Sequence, residues 1–162
     1  MRRILSFLVL LGLVAAPVHA QRAGEVPRRP RLAADADSND ARAYMQLAEQ
    51  RLARNPREAA DAFYWAYQLN PTLADAYYGR YTAQLMANPP LLVAYWDGER
   101  RLARNPQVLM LDSLYYRALT MDPLLYRKYE SSLFRVYVDT WLRDVLDRNG
   151  AHSATDADKA RF

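Results

Sequence analysis

From Asn55 to Pro71 the chain reads NPREAADAFYWAYQLNP, and this stretch shows the pattern on which most of the chain is built. It has the apolar spacing of a single helix and carries an Asn-Pro step at each end. Asparagine can cap a helix by accepting a hydrogen bond from a free backbone N–H, and proline fits the first helical position. Proline also moves the residue before it out of the α region, which ends the preceding helix. We therefore predict that each Asn-Pro step closes one helix and opens the next.

The same step recurs along the chain at nearly constant intervals. Asparagine or aspartate precedes the five prolines Pro56, Pro71, Pro89, Pro106 and Pro123. The intervals between these prolines are 15, 18, 17 and 17 residues, so two neighbouring intervals together span 33 to 35 residues. The spacing predicts a series of short helices in which every two helices form a unit of about 34 residues.

Two short sets of residues carry a resemblance to a known repeat. The first set is Tyr44, Leu47 and Ala48, and the second set is Ala59, Phe63, Ala66 and Pro71. An aromatic, a leucine and a small residue, followed by Ala, Phe or Tyr, Ala and a closing Pro, form the pattern of the tetratricopeptide repeat, which this chain resembles. The resemblance implies an all-α fold of antiparallel helix hairpins, a tetratricopeptide-like α-solenoid of about three helix pairs with a C-terminal capping helix.

Apolar periodicity and the caps place the individual helices. We predict helices from about Asp40 to Arg54, from Pro56 to Asn70, from Thr72 to about Met86, from Leu91 to Ala103 and from Gln107 to Met121. After Pro123 the chain is helical again, with an apolar stripe of Leu133, Phe134, Tyr137, Trp141 and Val145. The opposite side of this last helix is charged, which suits the polar-backed cap of a repeat stack.

The two ends of the chain differ in composition from the repeats. Residues 1–20 have a basic start, an apolar run from Ile4 to Ala16 and the motif Val18-His19-Ala20. This is the layout of a secretory signal peptide cleaved before Gln21, so we expect an exported protein, periplasmic or secreted, with no membrane span after cleavage. Residues 21–39 are predicted to be a flexible linker, residues 40–150 the helical repeat domain, and residues 151–162 a disordered tail.

Composition argues against several kinds of chemistry. The chain has no cysteine, which excludes thiolate nucleophiles, disulfides and cysteine metal sites. Of its two histidines, His19 lies in the predicted signal peptide and His152 in the predicted tail. The arginines alternate with carboxylates instead of forming a basic stripe, so we expect no nucleic-acid partner. Asp35, Asp37 and Asp40 lack the glycine and the distal glutamate of a calcium loop, so we expect no metal site. With no histidine in the predicted repeat domain and no Gly-rich phosphate loop, we also expect no cofactor and no catalytic residues.

Aromatic residues give the strongest indication of a binding site. The chain has 12 tyrosines and three tryptophans, and these residue types are enriched at binding hot spots. Many must pack in the core, but the second helix carries Phe63, Tyr64, Trp65 and Tyr67, which cannot all face one side. The third and fourth helices add Tyr77, Tyr78, Tyr81, Tyr95 and Trp96. We expect part of this set to line a groove.

The resemblance to the tetratricopeptide family implies where such a groove lies. In that family the first helix of each repeat builds a concave face that holds peptide or protein partners. Carried onto the matching positions, the partner-binding residues are Arg42, Met45, Glu49 and Leu52 in the first repeat and Asp75, Tyr78, Thr82 and Leu85 in the second. The lysine- and asparagine-rich clamp that some members use for acidic tails is missing, since the first and third helices contain neither residue.

Three functional hypotheses remain open at this point. The first is an exported, non-catalytic adaptor that binds a protein or peptide on its Tyr-rich concave face. The second is a self-associating structural subunit of a cell-envelope assembly, because three helix pairs are near the minimum for a stable stack and leave an end that can pair with another copy. The third is a small envelope hydrolase, which needs paired carboxylates in a deep pocket, either Glu99 with Glu130 or Asp97 with Asp112.

Overall fold

A computed structural model describes residues 26–98 and 104–149 of the chain. The described residues form six α-helices and no strand, which confirms the predicted all-α fold class for this part of the chain. The helices are α1 (Ala41–Arg51), α2 (Pro56–Leu69), α3 (Ala74–Met86), α4 (Pro89–Trp96), α5 (Pro106–Met121) and α6 (Tyr126–Asn149). None of these six is both long enough and apolar enough to cross a bilayer. The predicted signal peptide and tail, residues 1–20 and 151–162, lie outside the described ranges.

The Asn-Pro and Asp-Pro steps divide between the two ends of helices. Asn55, Asn88 and Asn105 begin α2, α4 and α5, and the side chain of each accepts a hydrogen bond from a backbone N–H in the first turn. Asn70 and Asp122 end α2 and α5, where their backbone N–H groups donate to helix carbonyls. Their side chains accept from the backbone of the next turn, and α3 and α6 begin only after it. The prediction that every step also opens a helix is therefore wrong at Asn70 and Asp122.

The fourth helix is shorter than predicted, because α4 ends at Trp96 and does not continue to Ala103. Gly98 has a φ of 68°, in the left-handed region that glycine enters without a steric penalty. Its N–H donates to the carbonyl oxygen of Tyr95 at 3.2 Å, which closes the last turn. Gly98 therefore ends the helix, although the prediction had continued through it to Ala103. Residues 99–103 lie outside the described ranges.

The third helix is the central one in the described structure. α3 packs against α2 and against α5, and α1 packs against α2. Every residue from Ala76 to Leu85 is buried, so α3 has no side left open to solvent over these residues. A helix that is covered all round does not need an apolar stripe, which explains why Arg80, Thr82 and Gln84 occur among its buried residues.

The last helix crosses the others instead of returning along α5. α6 packs against α3 and α4, and with 24 residues it covers the part of α3 that the eight residues of α4 leave open. From the predicted stripe, Leu133, Trp141 and Val145 are buried, whereas Phe134 is 52% exposed. The predicted stack of about three helix pairs with a C-terminal capping helix is therefore not confirmed, since α6 packs chiefly against α3 and α4 and not against α5.

The segment before α1 has no helix, but it is docked on the first two helices. Trp65 donates its indole N–H to the carbonyl oxygen of Pro27 at 3.1 Å. The guanidinium of Arg29 lies over the rings of Trp65 and Tyr44, at 4.8 Å and 5.4 Å from their centroids. These contacts place the described part of the predicted linker, residues 26–39, against α1 and α2, and a cation–π contact of this kind needs no apolar periodicity. The flexibility of the linker stays a prediction.

Candidate functional site

The predicted partner-binding residues of the first repeat lie along α1 and its C-terminal cap. Arg42 and Glu49 are exposed, and Met45 and Leu52 are partly buried against the core. All four therefore keep side-chain surface that a second molecule can reach. Their role in binding a partner stays a prediction.

The predicted residues of the second repeat are placed differently. Asp75 is partly buried, but Tyr78 is only 3% exposed and Thr82 and Leu85 are fully buried. These three side chains belong to the core between α3 and its neighbours, so an open groove wall at their positions is not what the structure shows. Tyr78 is covered by α6, whose Tyr129 stacks on its ring. Thr82 and Leu85 are enclosed because α3 has neighbouring helices on all sides, namely α2, α4, α5 and α6.

The first turns of α6 lie across the face on which both sets of residues were predicted. Lys128 donates hydrogen bonds to Glu49 of α1 at 2.8 Å and to Asp75 of α3 at 3.0 Å. The ring of Tyr129 stacks on Tyr78, with centroids 5.7 Å apart and planes inclined by 18°. Two acidic residues of the predicted groove thus bind a lysine of the same chain, whereas in the clamp of some tetratricopeptide proteins basic residues of the groove bind an acidic tail. No local pattern in the sequence signals this contact between distant residues.

A separate opening, which we call the tyrosine cleft, lies between α3, α4, α5 and α6. Its volume is about 470 Å³, which is within the range of ligand-binding pockets. Its lining consists of Tyr78, Tyr81, Tyr95, Trp96, Tyr115, Tyr126, Glu130 and Leu133. We attribute the cleft to the early end of α4 and the crossing of α6, which leave Tyr95, Trp96, Tyr115 and Tyr126 incompletely covered. Tyr78 and Tyr81 also belong to the lining, but they are only 3% and 4% exposed.

The aromatic rings of the cleft are inclined to one another and do not form a parallel stack. Tyr115 touches both tyrosines of α3, at 5.3 Å and 49° from Tyr81 and at 6.0 Å and 42° from Tyr78. Tyr81 meets Tyr95 of α4 nearly edge-on, at 6.2 Å and 66°. Tilted and edge-to-face pairs are favoured arrangements of aromatic side chains, so these rings stabilise one another's positions in the lining of the cleft.

The hydroxyl groups of the cleft stay protonated, and carboxylates lie beside them. Tyr95 donates its hydroxyl to Asp112 Oδ1 at 2.6 Å. Burial raises the pKa of Tyr81 to about 12, and burial followed by the bond to Asp112 raises the pKa of Tyr95. Burial is also the main cause of the raised pKa of Tyr78, to which the charge of Glu130 adds. The raised pKa values keep the three hydroxyl groups neutral well above physiological pH, and that of Tyr95 is donated to Asp112.

Glu130 is the carboxylate that lines the cleft, and it has no ion-pair partner among the described residues. The ion pairs in the described ranges join Arg51 to Glu58 and Lys128 to its two carboxylates on α1 and α3. Arg127, close to Glu130 on α6, instead donates its Nε to the hydroxyl of Tyr126 at 3.3 Å. The charge of Glu130 is thus not neutralised by a described neighbour.

A second recess adjoins the tyrosine cleft. It has a volume of about 450 Å³ and is lined by Trp96, Arg127, Glu130, Ser131 and Phe134. Trp96 and Glu130 line both openings. The two openings are therefore neighbours along α6, with an indole ring and a carboxylate at their border.

The carboxylates considered for hydrolysis are held in separate contacts. Asp97 accepts a hydrogen bond from the hydroxyl of Tyr137 at 2.7 Å, and Asp112 accepts one from Tyr95. Glu99 lies outside the described residues, and Glu130 is the carboxylate in the lining of the cleft. Paired acid–base catalysis needs two carboxyl groups that face one bond. Within residues 26–98 and 104–149, no group of three or more His, Asp or Glu side chains is placed to hold a metal ion.

Comparison with known proteins adds no family assignment. No family model, no curated protein and no solved structure matches the chain. The resemblance to the tetratricopeptide repeat therefore remains a prediction from the sequence, and any inference about function rests on the geometry of the clefts.

Proposed function

We propose that the chain is an exported, non-catalytic helical scaffold that binds a protein or peptide partner in the tyrosine cleft. The observation that carries this proposal is the lining of the cleft, where aromatic side chains from four helices meet around one opening of about 470 Å³. Tyrosine and tryptophan give large contact area for little loss of conformational entropy, which is why they dominate binding hot spots. The hydroxyl of Tyr95 is already donated to Asp112, so the ring surfaces are what the cleft offers to a partner.

The shape of the two openings favours an extended partner over a compact one. The tyrosine cleft and the adjoining recess share Trp96 and Glu130, so together they form one elongated depression. Successive side chains of an extended peptide can occupy neighbouring pockets of this kind. A single small molecule would fill one opening and leave the other without a role.

The proposal includes a tetratricopeptide-like origin for the helical scaffold. α1, α2 and α3 pack in chain order, as the helices of a hairpin stack do. On this view the face of α1 with Arg42, Met45 and Leu52 is a second surface for the partner. α6 replaces the open concave face beside α3, and the tyrosine cleft becomes the main binding site.

A photoreactive amino acid at position 126 tests the proposal. Tyr126 lines the cleft and is 36% exposed, so its replacement should leave the fold intact. Irradiation of cells that make this variant should give one discrete adduct between the chain and a second polypeptide. The same amino acid at Arg57, an exposed residue of α2 that does not line the cleft, is the matched control. Equal adducts at both positions would show that the cleft is not a specific binding site.

Export is tested separately, by the mass and location of the recovered protein. Residues 1–20 have the pattern of a signal peptide, so the chain outside the cytoplasm should begin at Gln21. Replacing the small residue before the cleavage site, Ala20→Tyr, should block processing, whereas Ala23→Tyr beyond the site should not. Recovery of the full-length chain from the cytosol would contradict export.

One observation favours self-association as a second candidate function. Leu109 and Tyr116 lie two helical turns apart on α5 and are 55% and 68% exposed. Among the described helices, α5 packs chiefly against α3, so the side that carries these two residues is open. A second copy could cover it, and light scattering should then show a dimer that the double variant Leu109→Ser, Tyr116→Ser dissociates. A strict monomer at high concentration would exclude this candidate.

A further inference from the structure

Aromatic rings outside the tyrosine cleft are repeatedly paired with cations of the same chain. Arg29 lies over Tyr44 and Trp65, Arg80 over Tyr64 and Tyr67, Arg117 over Tyr77, and Lys128 over Tyr129. The cations lie between 4.6 Å and 5.6 Å from the ring centroids. At such distances the negative face of a ring attracts a cation. Tyrosine and tryptophan faces in this chain are thus commonly matched with positive charge.

The rings inside the cleft do not follow this pattern. Among the described cations, none lies over the rings of Tyr78, Tyr81, Tyr95, Trp96 or Tyr115. Tyr126 differs from these five, since the guanidinium of its neighbour Arg127 lies 5.8 Å from its centroid. These five rings therefore share one opening, and no described cation lies over any of them.

The charged residue in the lining of the tyrosine cleft is negative, whereas the adjoining recess also carries Arg127. Glu130 lines the cleft and forms no ion pair with a described residue. Asp112 lies behind the wall, where it accepts the hydroxyl of Tyr95. Glu130 is exposed, so solvent weakens its attraction for a cation, but that attraction has the same sign as the attraction of the ring faces. Rings and carboxylates therefore favour the same kind of ligand.

We infer that the tyrosine cleft recognises an organic cation, namely the guanidinium or ammonium group of an arginine or lysine side chain on the bound partner. The inference rests on the proposed function and adds the residue type that the partner must carry. The cation lies against the partly exposed rings of Tyr95, Trp96 and Tyr115, and Glu130 is its counter-charge. A volume of about 470 Å³ holds such a side chain with part of its backbone.

Calorimetric titration of the purified protein with two pairs of probes tests this inference. The first pair is a short capped peptide with a central arginine and the same peptide with citrulline, a neutral group of the same shape. The second pair is choline and its neutral isostere 3,3-dimethylbutanol, which represents a free small cation. We expect the arginine peptide to bind about three- to thirtyfold more tightly than the citrulline peptide.

Two carboxylate variants assign the preference to the cleft. Glu130→Gln removes the counter-charge with almost no change in shape and should measurably weaken the preference for arginine, while the rings keep part of it. Asp139→Asn makes the same change further along α6, outside the lining of the cleft, and should leave the preference unchanged. Both residues are exposed, so neither substitution threatens folding.

The outcomes separate the inference from the proposed function. Equal binding of the arginine and citrulline peptides, unaffected by Glu130→Gln, would overturn the inference and leave peptide binding in place. Failure of all four probes to bind would overturn both. Binding of choline but of neither peptide would support recognition of a cation and assign it to a small molecule, which would overturn the protein partner.

Discussion

Gly79 stands where α3 meets the ring of Phe63 on α2. A Cβ atom at this position would lie 2.4 Å from Cε1 and 2.5 Å from Cζ of Phe63, closer than carbon atoms approach. Phe63 is fully buried, so its ring cannot move aside into solvent. The glycine is therefore required by the close approach of two helices and not by its own backbone conformation.

The substitution Gly79→Ala tests this account of the α2–α3 contact. Alanine normally stabilises a helix by about 1 kcal/mol relative to glycine. Here we expect the free energy of unfolding to fall by about 1–3 kcal/mol, because the added methyl group overpacks the core. Urea denaturation followed by circular dichroism measures the change.

The ring of Phe63 provides the control for that experiment. In a Phe63→Leu background the two closest ring atoms are gone, so Gly79→Ala should cost clearly less than it does in the natural chain. Residues in contact show such non-additive effects, whereas independent sites add. An equal fall in the free energy of unfolding in both backgrounds would mean that the methyl group does not clash with the ring of Phe63.

At the scale of elements, α6 is the helix that ties the others together. Its first turns reach α1 and α3 through Lys128, and Tyr129 stacks on Tyr78 of α3. Tyr129 also meets the ring of Phe63 on α2 edge-on, with centroids 6.2 Å apart. The position of α6, and with it one wall of the tyrosine cleft, therefore depends on a few residues near its start.

Tyr129 should matter more for stability than any exposed aromatic of the same helix. It is 3% exposed, and we expect Tyr129→Ala to lower the free energy of unfolding by about 3–5 kcal/mol, as truncation of buried aromatics does. Phe134, which is 52% exposed, is the matched control, and Phe134→Ala should change stability by less than about 1 kcal/mol. Equal losses in chemical denaturation would argue against docking of α6 through its first turns.

The ion pairs of Lys128 should contribute less than the neighbouring ring. Burial lowers the pKa of Lys128, but the hydrogen bonds to Glu49 and Asp75 raise it more, so the net pKa lies above the ordinary value. All three side chains are about 40% exposed, and solvent screens such pairs. We expect Lys128→Gln to cost about 1 kcal/mol or less. Denaturation at low and high salt checks this, since the cost should shrink as salt is added.

At the scale of the whole molecule, the sequence predicted elements better than it predicted their assembly. Asn55 and its proline were correctly assigned as the start of α2, and the ends of α3 and α5 at Met86 and Met121 were predicted as observed. Caps and apolar spacing are local, so they can be read from neighbouring residues. The crossing of α6 depends on contacts between Lys128 and residues as many as 79 positions away, for which no local signal exists.

The candidate site shows the same division between local and long-range information. Aromatic enrichment singled out Tyr78, Tyr81, Tyr95 and Trp96, and the structure brings all four to one cleft. Aromatic enrichment did not identify Glu130 as the carboxylate of that cleft. Glu130 lies on α6, whose packing against α3 and α4 has no local signal in the sequence. The family pattern also predicted partner-binding positions at Thr82 and Leu85, which are fully buried because α3 is enclosed by its neighbouring helices.

Buried tyrosines make the fold as a whole sensitive to alkali. Burial raises the pKa of Tyr81 and Tyr129 to about 12, whereas the unfolded chain ionises its tyrosines near pH 10. Between these values the unfolded chain loses protons that the folded chain keeps, so rising pH favours unfolding. The stability that the neutral hydroxyls provide is complete below about pH 10 and is lost as pH rises toward about 12. Lys128, with its raised pKa, acts in the same direction.

We therefore expect the free energy of unfolding to fall between about pH 10 and pH 12, by about 1.4 kcal/mol per pH unit for each such tyrosine. Circular dichroism and phenolate absorbance should then change together, because these hydroxyls ionise when the chain unfolds. Tyr129→Phe keeps the ring and removes the ionisable group, so it should make the pH dependence shallower by about the share of one tyrosine. Phenolate formation at Tyr81 and Tyr129 well below the unfolding transition would mean that the two hydroxyls are open to water, and the packing of α6 over α3 would have to be looser than described.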